Sequence, residues 1–240
     1  FLIFMCNRNH PSESGNVIPL RAKLGTLAAE AIRDFNFTYV PGALARREDS
    51  APAGRSRFSR RGRAEVAGAG DTRLAQAEVL NGIDVLEKEN FAPLKGLRIG
   101  LVTNHTGHDR ERTPTIDLLK NAPGVRLTEL FSPEHGIRGV ADERVGDSVD
   151  AETGLRVHSL YGKTSKPTPE MLTNIDALVF DIQDIGCRFY TYTATMGLVM
   201  EAAAENGKKY FVLDRVNPIN GSTIEGPVRM GKPSFVAFHP

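Results

Sequence analysis

The sequence lacks the features that would place it among membrane-spanning or disulfide-rich proteins. Its longest uninterrupted apolar runs, Leu2–Cys6 and Ala177–Phe180, fall far short of the roughly 20 residues that a transmembrane helix needs. Two cysteines, Cys6 and Cys187, are too few for a disulfide framework and do not indicate a redox compartment. The 240 residues, 40% of them hydrophobic, are enough to bury the core of one domain or of two small ones.

Neither charge sign is in large excess, since 30 Lys and Arg face 29 Asp and Glu for a net charge of +1. A balanced total gives no reason to expect nucleic acid as a partner, because phosphate binding needs a concentrated basic face. The densest basic cluster, Arg55–Arg63, lies in the Ala-, Gly-, Ser- and Pro-rich stretch 43–75, whose composition is typical of a flexible segment. We therefore predict that residues 1–78 are an unassigned, disordered or non-native extension and that 79–240 form the folded domain.

From Val79 onward, apolar strands alternate with helical patterns. Short apolar, β-branched runs predict four buried strands, at 97–103, 125–131, 175–182 and 209–214. Thr-Pro pairs and apolar residues at three- and four-residue spacing predict helices from Thr113 to Lys120, from Thr168, and from Tyr192 to Asn206. This alternation indicates an α/β fold with a mostly parallel sheet and crossover helices.

Polar side chains follow each of the four predicted strands. In chain order the clusters are Asn104, His105 and Thr106; Glu134 and His135; Asp181, Gln183, Asp184 and Arg188; and Asp214, Arg215 and Asn217. In an open parallel sheet, ligands bind outside the carboxyl ends of the strands. We therefore expect the four clusters to converge on one edge of the sheet and to form a site.

The acidic side chains of these clusters are candidates for two kinds of role. Glu134 is suited to act as a general acid or base if it is partly buried, and is otherwise a surface carboxylate. Asp181 and Asp184 together with Arg188 most economically form an ion-pair network that fixes their loop. Alternatively, Arg188 binds a substrate carboxylate through two hydrogen bonds.

The sequence carries no motif for a bound cofactor. Its glycines form neither a GxGxxG nor a P-loop pattern and a GxSxG elbow is absent, so we expect no nucleotide cofactor and no serine-esterase chemistry. His105 and His135 can be grouped with Asp181 or Asp184 as metal ligands, but without HxH, HExxH or CxxC spacing we expect hydrogen bonding instead of metal binding. Tyr190 and Tyr192 either pack at the start of the third helix or contact a sugar ring.

Six longer segments carry a family resemblance. In chain order they are Asn81-Gly-Ile-Asp84, Leu101-Val-Thr-Asn-His-Thr-Gly107, Leu130-Phe-Ser-Pro-Glu-His-Gly-Ile-Arg-Gly139, Ser159-Leu-Tyr-Gly162, Phe180-Asp-Ile-Gln-Asp-Ile-Gly-Cys-Arg-Phe-Tyr-Thr-Tyr192 and Leu213-Asp-Arg-Val-Asn-Pro218. Together they resemble the exo-β-N-acetylmuramidase family, long catalogued as the domain of unknown function 1343. Val216 departs from the pattern, since the family usually has proline there, and residues 1–78 do not resemble the family.

The resemblance implies a bacterial glycoside hydrolase that removes N-acetylmuramic acid from the non-reducing end of peptidoglycan fragments in cell-wall turnover. It also implies a Rossmann-like domain whose active site lies in a cleft against a smaller C-terminal domain. We expect most of that second domain to lie beyond residue 240, so that this chain is truncated before it.

The resemblance also assigns roles to the residues at the strand ends. Glu134 matches the family's favoured catalytic carboxylate and is expected to be the acid or acid/base. The other expected catalytic residues are His135, Asp181, Asp184 and Tyr190, and the expected substrate-binding residues are Asn104, His105, Gln183, Arg188, Asp214, Arg215 and Asn217. The partner of Glu134 stays open among Asp181, Asp184 and Tyr190, and Arg188 or Arg215 is expected to face the lactyl carboxylate of the sugar.

Two other functions remain open, a carbohydrate-binding module without catalysis and a metal-dependent hydrolase using His105, His135 and Asp181. The expected partner is a peptidoglycan-derived muramyl saccharide, with no nucleic acid and no transmembrane segment involved. Because peptidoglycan lies outside the cytoplasmic membrane, we expect a periplasmic or secreted protein, although Phe1–Cys6 has neither the basic leader nor the apolar length of a signal segment.

Overall fold

The computed structural model describes strands at 18–21, 36–40 and 43–45 and residues 78–134, 136–138, 146–220, 224–232 and 234–238. The strands in these ranges are β1 (Ile18–Arg21), β2 (Asn36–Val40), β3 (Ala43–Ala45), β4 (Glu78–Leu80), β5 (Arg98–Thr103), β6 (Arg126–Ser132), β7 (Ser148–Val149), β8 (Arg156–Ser159), β9 (Ala177–Asp181) and β10 (Lys209–Leu213). The helices are α1 (Gly82–Lys88), α2 (Thr115–Asn121) and α3 (Tyr192–Glu205), with 3-10 turns at Ala92–Leu94 and Glu170–Leu172. Within these ranges, no helix has the length and apolar character needed to cross a bilayer.

Eight of the strands form one sheet, in the order β1-β2-β10-β9-β5-β6-β8-β7. The strands from β2 to β8 in this order run parallel, and β1 and β7 pair antiparallel at the two edges. Helix α2 connects β5 to β6 and α3 connects β9 to β10, so each crosses between adjacent parallel strands. The predicted α/β fold with a mostly parallel sheet and crossover helices is confirmed.

The four predicted strands correspond to β5, β6, β9 and β10, with ends that differ by one or two residues. The helix predicted from Thr113 begins at Thr115, because Pro114 is still extended, with ψ of 137°. The helix predicted from Thr168 is a 3-10 turn only, and α1 and β8 were not predicted. Strands β1, β2 and β3 come from residues 1–78, and β2 pairs with β10. The remainder of that stretch before Glu78 lies outside the described residues, so the boundary at residue 78 stays a prediction.

Both faces of the sheet are buried under helices. One cluster joins the strands to α1 and α2 and includes Leu101, Leu130, Val179, Ile83 and Leu119. The other joins the strands to α3 and includes Val102, Phe131, Phe180, Val199 and Met200. Burial on both faces explains the near-continuous apolar runs of the central strands. The polar residues that follow these strands are therefore attached to a rigid edge.

An ion pair anchors the segment that follows β6. Arg138 donates from Nε and Nη2 to the two carboxylate oxygens of Asp150, at 2.8 and 3.0 Å. The backbone N–H and the hydroxyl of Thr153 add hydrogen bonds of 3.0 and 2.6 Å to Asp150 Oδ2. The Arg138 hydrogen bonds, together with those from Thr153, lower the pKa of the buried Asp150 carboxyl to about 2. The segment after Glu134 is in this way tied to the end of β7.

We predict that Asp150→Asn lowers the free energy of unfolding at neutral pH by about 2 kcal/mol, because a depressed native pKa is a stability contribution. The folded pKa of about 2 lies below the roughly 3.9 of an unfolded aspartate, so this contribution is present above about pH 4 and is lost as the pH falls toward 2. Denaturant unfolding at pH 7, 4 and 2.5 measures the effect, and the gap between parent and variant should narrow in acid.

The matched control for this prediction is Glu152→Gln, since Glu152 also pairs with Arg138 but its side chain is 63% exposed. An exposed pair contributes little, so this variant should unfold like the parent. A gap between parent and Asp150→Asn that does not change with pH would contradict the prediction.

Candidate active site

The four polar clusters lie side by side at one edge of the sheet. Strands β10, β9, β5 and β6 are adjacent and parallel, so their carboxyl ends point the same way. The residues that follow these strands are consequently neighbours in space. His135 lies outside the described residues, and its expected catalytic role stays a prediction.

Asp181 and Arg215 form a buried ion pair in the middle of this edge. Arg215 donates from Nε to Asp181 Oδ1 at 2.6 Å and from Nη2 to Oδ2 at 2.8 Å, and the two side chains are 4% and 0% exposed. Thr115 Oγ1 donates to Asp181 Oδ2 at 2.5 Å, and Arg215 Nη2 also donates to the carbonyl oxygen of His108 at 2.9 Å. Both carboxylate oxygens of Asp181 are therefore engaged by protein groups.

The predicted ion-pair network of Asp181, Asp184 and Arg188 is wrong. Asp181 pairs with Arg215 from the neighbouring strand end. Arg188 is exposed, and its guanidinium donates to the carbonyl oxygen of Pro227. Closeness along the chain favoured Arg188, but the carboxylate at the end of β9 is fully buried and is reached by an arginine that is buried with it.

A chain of hydrogen bonds joins the loops after β5 and β9. The Gln183 backbone N–H donates to Thr106 Oγ1 at 3.0 Å, and Thr106 donates from its hydroxyl and its N–H to Asn104 Oδ1 at 2.6 and 2.9 Å. Asn104 is 2% exposed, and its Nδ2 has no partner of ordinary hydrogen-bond geometry among the described residues. The amide lies close enough to the Tyr192 hydroxyl to affect its pKa. The network thus fixes the orientation of the Asn104 amide.

Glu134 lies two residues beyond β6, near hydroxyl groups at the start of α3. Thr191 Oγ1 donates to Glu134 Oε2 at 3.3 Å. The buried Tyr192 ring meets the Tyr190 ring edge-on, with ring centroids 4.8 Å apart. Burial raises the pKa of Tyr192, the nearby Tyr190 and Glu134 add to the rise, and the Asn104 amide opposes it. Tyr192 therefore keeps its proton at neutral pH and supplies an O–H group near the Glu134 carboxylate.

Glu134 also lines an open cavity of about 240 Å³. The other lining residues are Leu160, Tyr161, Gly162, Ser165 and Phe235. Most of them follow β8, which is the neighbour of β6 in the sheet, and Phe235 comes from near the end of the chain. A ligand in this cavity would contact Glu134 directly.

The loop after β9 is held by hydrogen bonds between side chains and backbone. Gln183 Nε2 donates to the carbonyl oxygens of Asp184 and Val216, at 2.7 and 2.8 Å. Asp184 Oδ1 accepts from the Gly186 N–H at 2.7 Å, whereas its Oδ2 is buried without a partner in the described part of the chain. Burial raises the pKa of Asp184. Asp184 thus differs from Asp181 in having an oxygen that no group of the described residues engages.

The remaining candidates lie at the border of the site. His105 is exposed beyond β5. The carbonyl oxygen of Asp214 accepts from the Gly82 N–H at 2.7 Å, which ties the end of β10 to α1. Asn217 Oδ1 accepts from the Ile219 N–H at 3.0 Å. These contacts shape the loops, and substrate binding by these residues stays a prediction.

The residues of the metal-dependent alternative do not form a ligand set in the described structure. Within the described ranges, no group of three or more His, Cys, Asp or Glu side chains is placed to hold a metal ion. Asp181 is bound by Arg215 and Thr115, and His105 is exposed. His135, the third member, lies outside these ranges.

Several residues that organise the site were not assigned from the sequence. Thr191 lies inside a quoted motif, but a threonine directly before a helix carries no distinctive signal. Thr115 donates a hydrogen bond to Asp181, which lies 66 residues further along the sequence. No local sequence pattern predicts such a contact. Tyr192 was noted as a packing or sugar-contacting residue, and in the structure the Glu134 carboxylate contributes to the rise in its pKa.

The chain is similar to known proteins in sequence. A family model described as "Exo-beta-N-acetylmuramidase NamZ, N-terminal" matches residues 99–240. Over 166 residues, or 68% of its length, the chain is 52% identical to the peptidoglycan beta-N-acetylmuramidase NamZ of Bacillus subtilis (strain 168), of which it covers 40%.

Two crystal structures of DUF1343 family proteins from Bacteroides fragilis NCTC 9343 are also similar. One is 57% identical with a TM-score of 0.62, over 66% of this chain and 40% of that one. The other is 37% identical with a TM-score of 0.58, over 68% of this chain and 42% of that one. The chain spans about 40% of the length of the relatives that it matches.

We predict that Asp181→Asn lowers the free energy of unfolding by about 3 kcal/mol, because it leaves the buried charge of Arg215 without its counter-charge. Arg215→Met should be costly for the same reason. The double variant should lose less than the sum of the two, since it buries no unpaired charge. Denaturant unfolding of the four proteins measures the coupling, and strictly additive losses would show that the pair is not an energetic unit.

Proposed function

This chain belongs to the family of the N-terminal domain of exo-β-N-acetylmuramidase NamZ, and on that basis we propose that it forms the catalytic part of a peptidoglycan hydrolase. The proposed reaction releases N-acetylmuramic acid from the non-reducing end of peptidoglycan fragments. Because this substrate lies outside the cytoplasmic membrane, the proposal includes a periplasmic or secreted location. The observation that supports it most is the position of Glu134, which lines an open cavity and accepts a hydrogen bond from the Thr191 hydroxyl.

Cleavage of a glycosidic bond needs an acid that protonates the leaving oxygen and a second group that attacks or activates water. We assign the first role to Glu134, since a sugar in the cavity would contact its carboxyl group. After proton transfer Glu134 carries a negative charge. The Thr191 hydroxyl already donates to it at 3.3 Å, and the protonated Tyr192 lies near it as a further stabilising dipole.

For the second role we propose Asp184. Asp181 would have to leave Arg215 and Thr115 before either of its oxygens reacted, and breaking a buried ion pair is costly. Asp184 Oδ2 has no hydrogen-bond partner among the residues that the structure describes, and burial raises the pKa of Asp184, which makes its carboxylate more basic. Tyr190, the remaining candidate, packs edge-on against Tyr192.

Arg188 is the arginine that we propose for the lactyl carboxylate of N-acetylmuramic acid. Arg215 is committed to Asp181 and is 4% exposed. Arg188 is exposed, and the acceptor that it contacts, the carbonyl oxygen of Pro227, carries no charge. Within the described part of the chain its acceptor is this neutral carbonyl, so its positive charge is available to an anionic substituent.

We predict that Glu134→Gln in the full-length protein reduces kcat on a chromogenic β-N-acetylmuramide by about 10²- to 10⁴-fold, the usual contribution of a general acid. Affinity for free N-acetylmuramic acid should stay within a few-fold of the parent, because the amide keeps the shape of the side chain. Glu111→Gln, at an exposed position, is the control and should have parental turnover. Binding without turnover in the parent would favour the carbohydrate-binding module instead.

We predict that Asp184→Asn lowers kcat by about 10²-fold or more without a comparable loss of stability. If the ionised Asp184 is the reacting form, kcat of the parent falls as the pH drops through its pKa, which burial raises above the ordinary 3.8. Rates from pH 3.5 to 8 together with unfolding curves measure both effects. If Asp184→Asn has parental turnover, the second role belongs elsewhere, and Tyr190→Phe is the next variant.

A further inference from the structure

The loops after β9 and β10 begin at one ion pair and stay in contact beyond it. Asp181 and Arg215 form this pair at the bases of the loops, where both side chains are buried. Further along, Gln183 Nε2 donates to the carbonyl oxygens of Val216 and Asp184, at 2.8 and 2.7 Å. A side-chain amide has two N–H groups to donate, so both N–H groups of Gln183 are used by backbone carbonyls of the two loops.

A third contact follows later in both loops. Gly186 has a φ of 77°, and a Cβ atom built on it would overlap Asn217 Oδ1 and lie 2.9 Å from Asn217 Nδ2. The Asn217 amide is therefore packed directly on the backbone of Gly186. Asn217 Oδ1 also accepts from the Ile219 N–H at 3.0 Å, which fixes the amide in this place. We call the two outer contacts, Gln183 with Val216 and Asn217 with Gly186, the loop clasp.

Asp184 lies between the two contacts of the loop clasp. Its carbonyl oxygen accepts from Gln183 Nε2, and its Oδ1 accepts from the Gly186 N–H at 2.7 Å. Its Oδ2 is buried without a partner among the described residues. The backbone against which Asn217 packs is thus the backbone that holds Oδ1. Because Oδ1 and the main chain of Asp184 are both held, the position of Oδ2 is also fixed.

The loop clasp is built from residues that contribute little to the core. Gly186 and Val216 are exposed, and Gln183 and Asn217 are only partly buried. Contacts of this kind remove little apolar surface from water, so their contribution to the free energy of folding is small. A reacting side chain, in contrast, must be held within about 0.5 Å of its productive position. The loop clasp is therefore better suited to placing a side chain than to stabilising the fold.

We propose that Gln183 and Asn217 are positioning residues, which hold the two loops together and so place Asp184 Oδ2 for its reaction. The proposal rests on the proposed function, because it takes Asp184 as the second catalytic group. The family resemblance led us to expect substrate binding by both residues. In the role proposed here they act through Asp184, and neither amide needs to contact the sugar.

The first test is Gly186→Ala in the full-length protein, with turnover of a chromogenic β-N-acetylmuramide as the measurement. The new Cβ displaces the Asn217 amide and the loop with it. Because a misplacement of about 1 Å can cost roughly 10²-fold in rate, kcat should fall by about 10- to 100-fold, with KM within a few-fold of the parent.

Gly96→Ala is the matched control for this variant. Gly96 has a φ of 78°, almost the same as that of Gly186, but a Cβ built on it meets nothing within 4 Å. The control therefore carries the same backbone strain without the overlap, and it should keep parental turnover. An equal loss of kcat in both variants would show that strain alone is responsible and would overturn the proposal.

Variants of the two amides distinguish positioning from substrate binding. Asn217→Ala and Gln183→Met remove the amides without adding a charge, and each should lower kcat by about 10-fold or more with little change in KM. The double variant of Gly186→Ala with Asn217→Ala should lose about as much as either single variant, since both remove the same contact. A higher KM at parental kcat would show that the amides bind substrate, and it would overturn the proposal. Strictly additive losses would do the same.

Amide hydrogen exchange measures the release of the loop without any substrate. The Gly186 N–H, which donates to Asp184, should exchange faster in Asn217→Ala and in Gln183→Met than in the parent. In Gly96→Ala its exchange should be parental. Thermal unfolding shows which variants are folded, and the two amide variants carry the test if Gly186→Ala does not fold. Parental exchange in both of them would overturn the proposal.

Two results separate the positioning role from the proposed function. If the parent does not hydrolyse the muramide, or if Asp184→Asn has parental turnover, the proposed role of Asp184 fails and the positioning role fails with it. If Asp184→Asn is impaired but every variant of the loop clasp turns over as the parent does, the positioning role alone is overturned and the proposed activity stands.

Discussion

The ion pair between Asp181 and Arg215 holds together the strand ends on which the candidate site is built. It connects the end of β9 to the segment after β10, and its further hydrogen bonds reach Thr115 at the start of α2 and the carbonyl of His108 in the loop after β5. The Asp181 carbonyl oxygen also accepts from Thr103 Oγ1, the last residue of β5, at 2.7 Å. Because both charges are buried, separating the two side chains would leave each charge without a partner and away from water, which is costly. Three adjacent strand ends are thereby locked in one arrangement.

Close packing around this pair dictates the path of the loop after β5. A Cβ atom at Gly107 would overlap Thr103 Oγ1 and lie 2.9 Å from the carbonyl oxygen of Asp181, so only glycine fits there. The Gly107 N–H donates to the carbonyl of Asn104 and its own carbonyl accepts from the Thr115 N–H, both at 3.0 Å. The turn at 104–107, which packs against the ion pair, therefore also positions Asn104. The buried ion pair in this way fixes the backbone of the site.

Sequence patterns predicted the parts of this structure that depend on local chemistry. Buried apolar runs gave β5, β6, β9 and β10, and the parallel arrangement followed from their alternation with helices, so the convergence of polar clusters on one edge was predictable. The choice of Arg215 over Arg188 was not, because it depends on which arginine is buried next to Asp181. That Phe235 lines the cavity could not be predicted either, since it lies about 100 residues beyond Glu134 in the sequence and only the tertiary fold brings the two together.

The orientation of the Asn104 side chain shows how the loops after β5 and β9 are connected. Thr106 donates twice to Asn104 Oδ1, so a flipped amide would oppose donors to donors and lose both hydrogen bonds. The amide oxygen is therefore the atom that faces Thr106, and the Asn104 amide, whose Nδ2 has no hydrogen-bond partner among the described residues, acts against the rise in the pKa of Tyr192. Thr106 is itself oriented by the Gln183 N–H, one residue before Asp184. The loop that carries the proposed second carboxylate thus also fixes the Asn104 amide, and the loops after β5 and β9 are organised by one hydrogen-bonded chain.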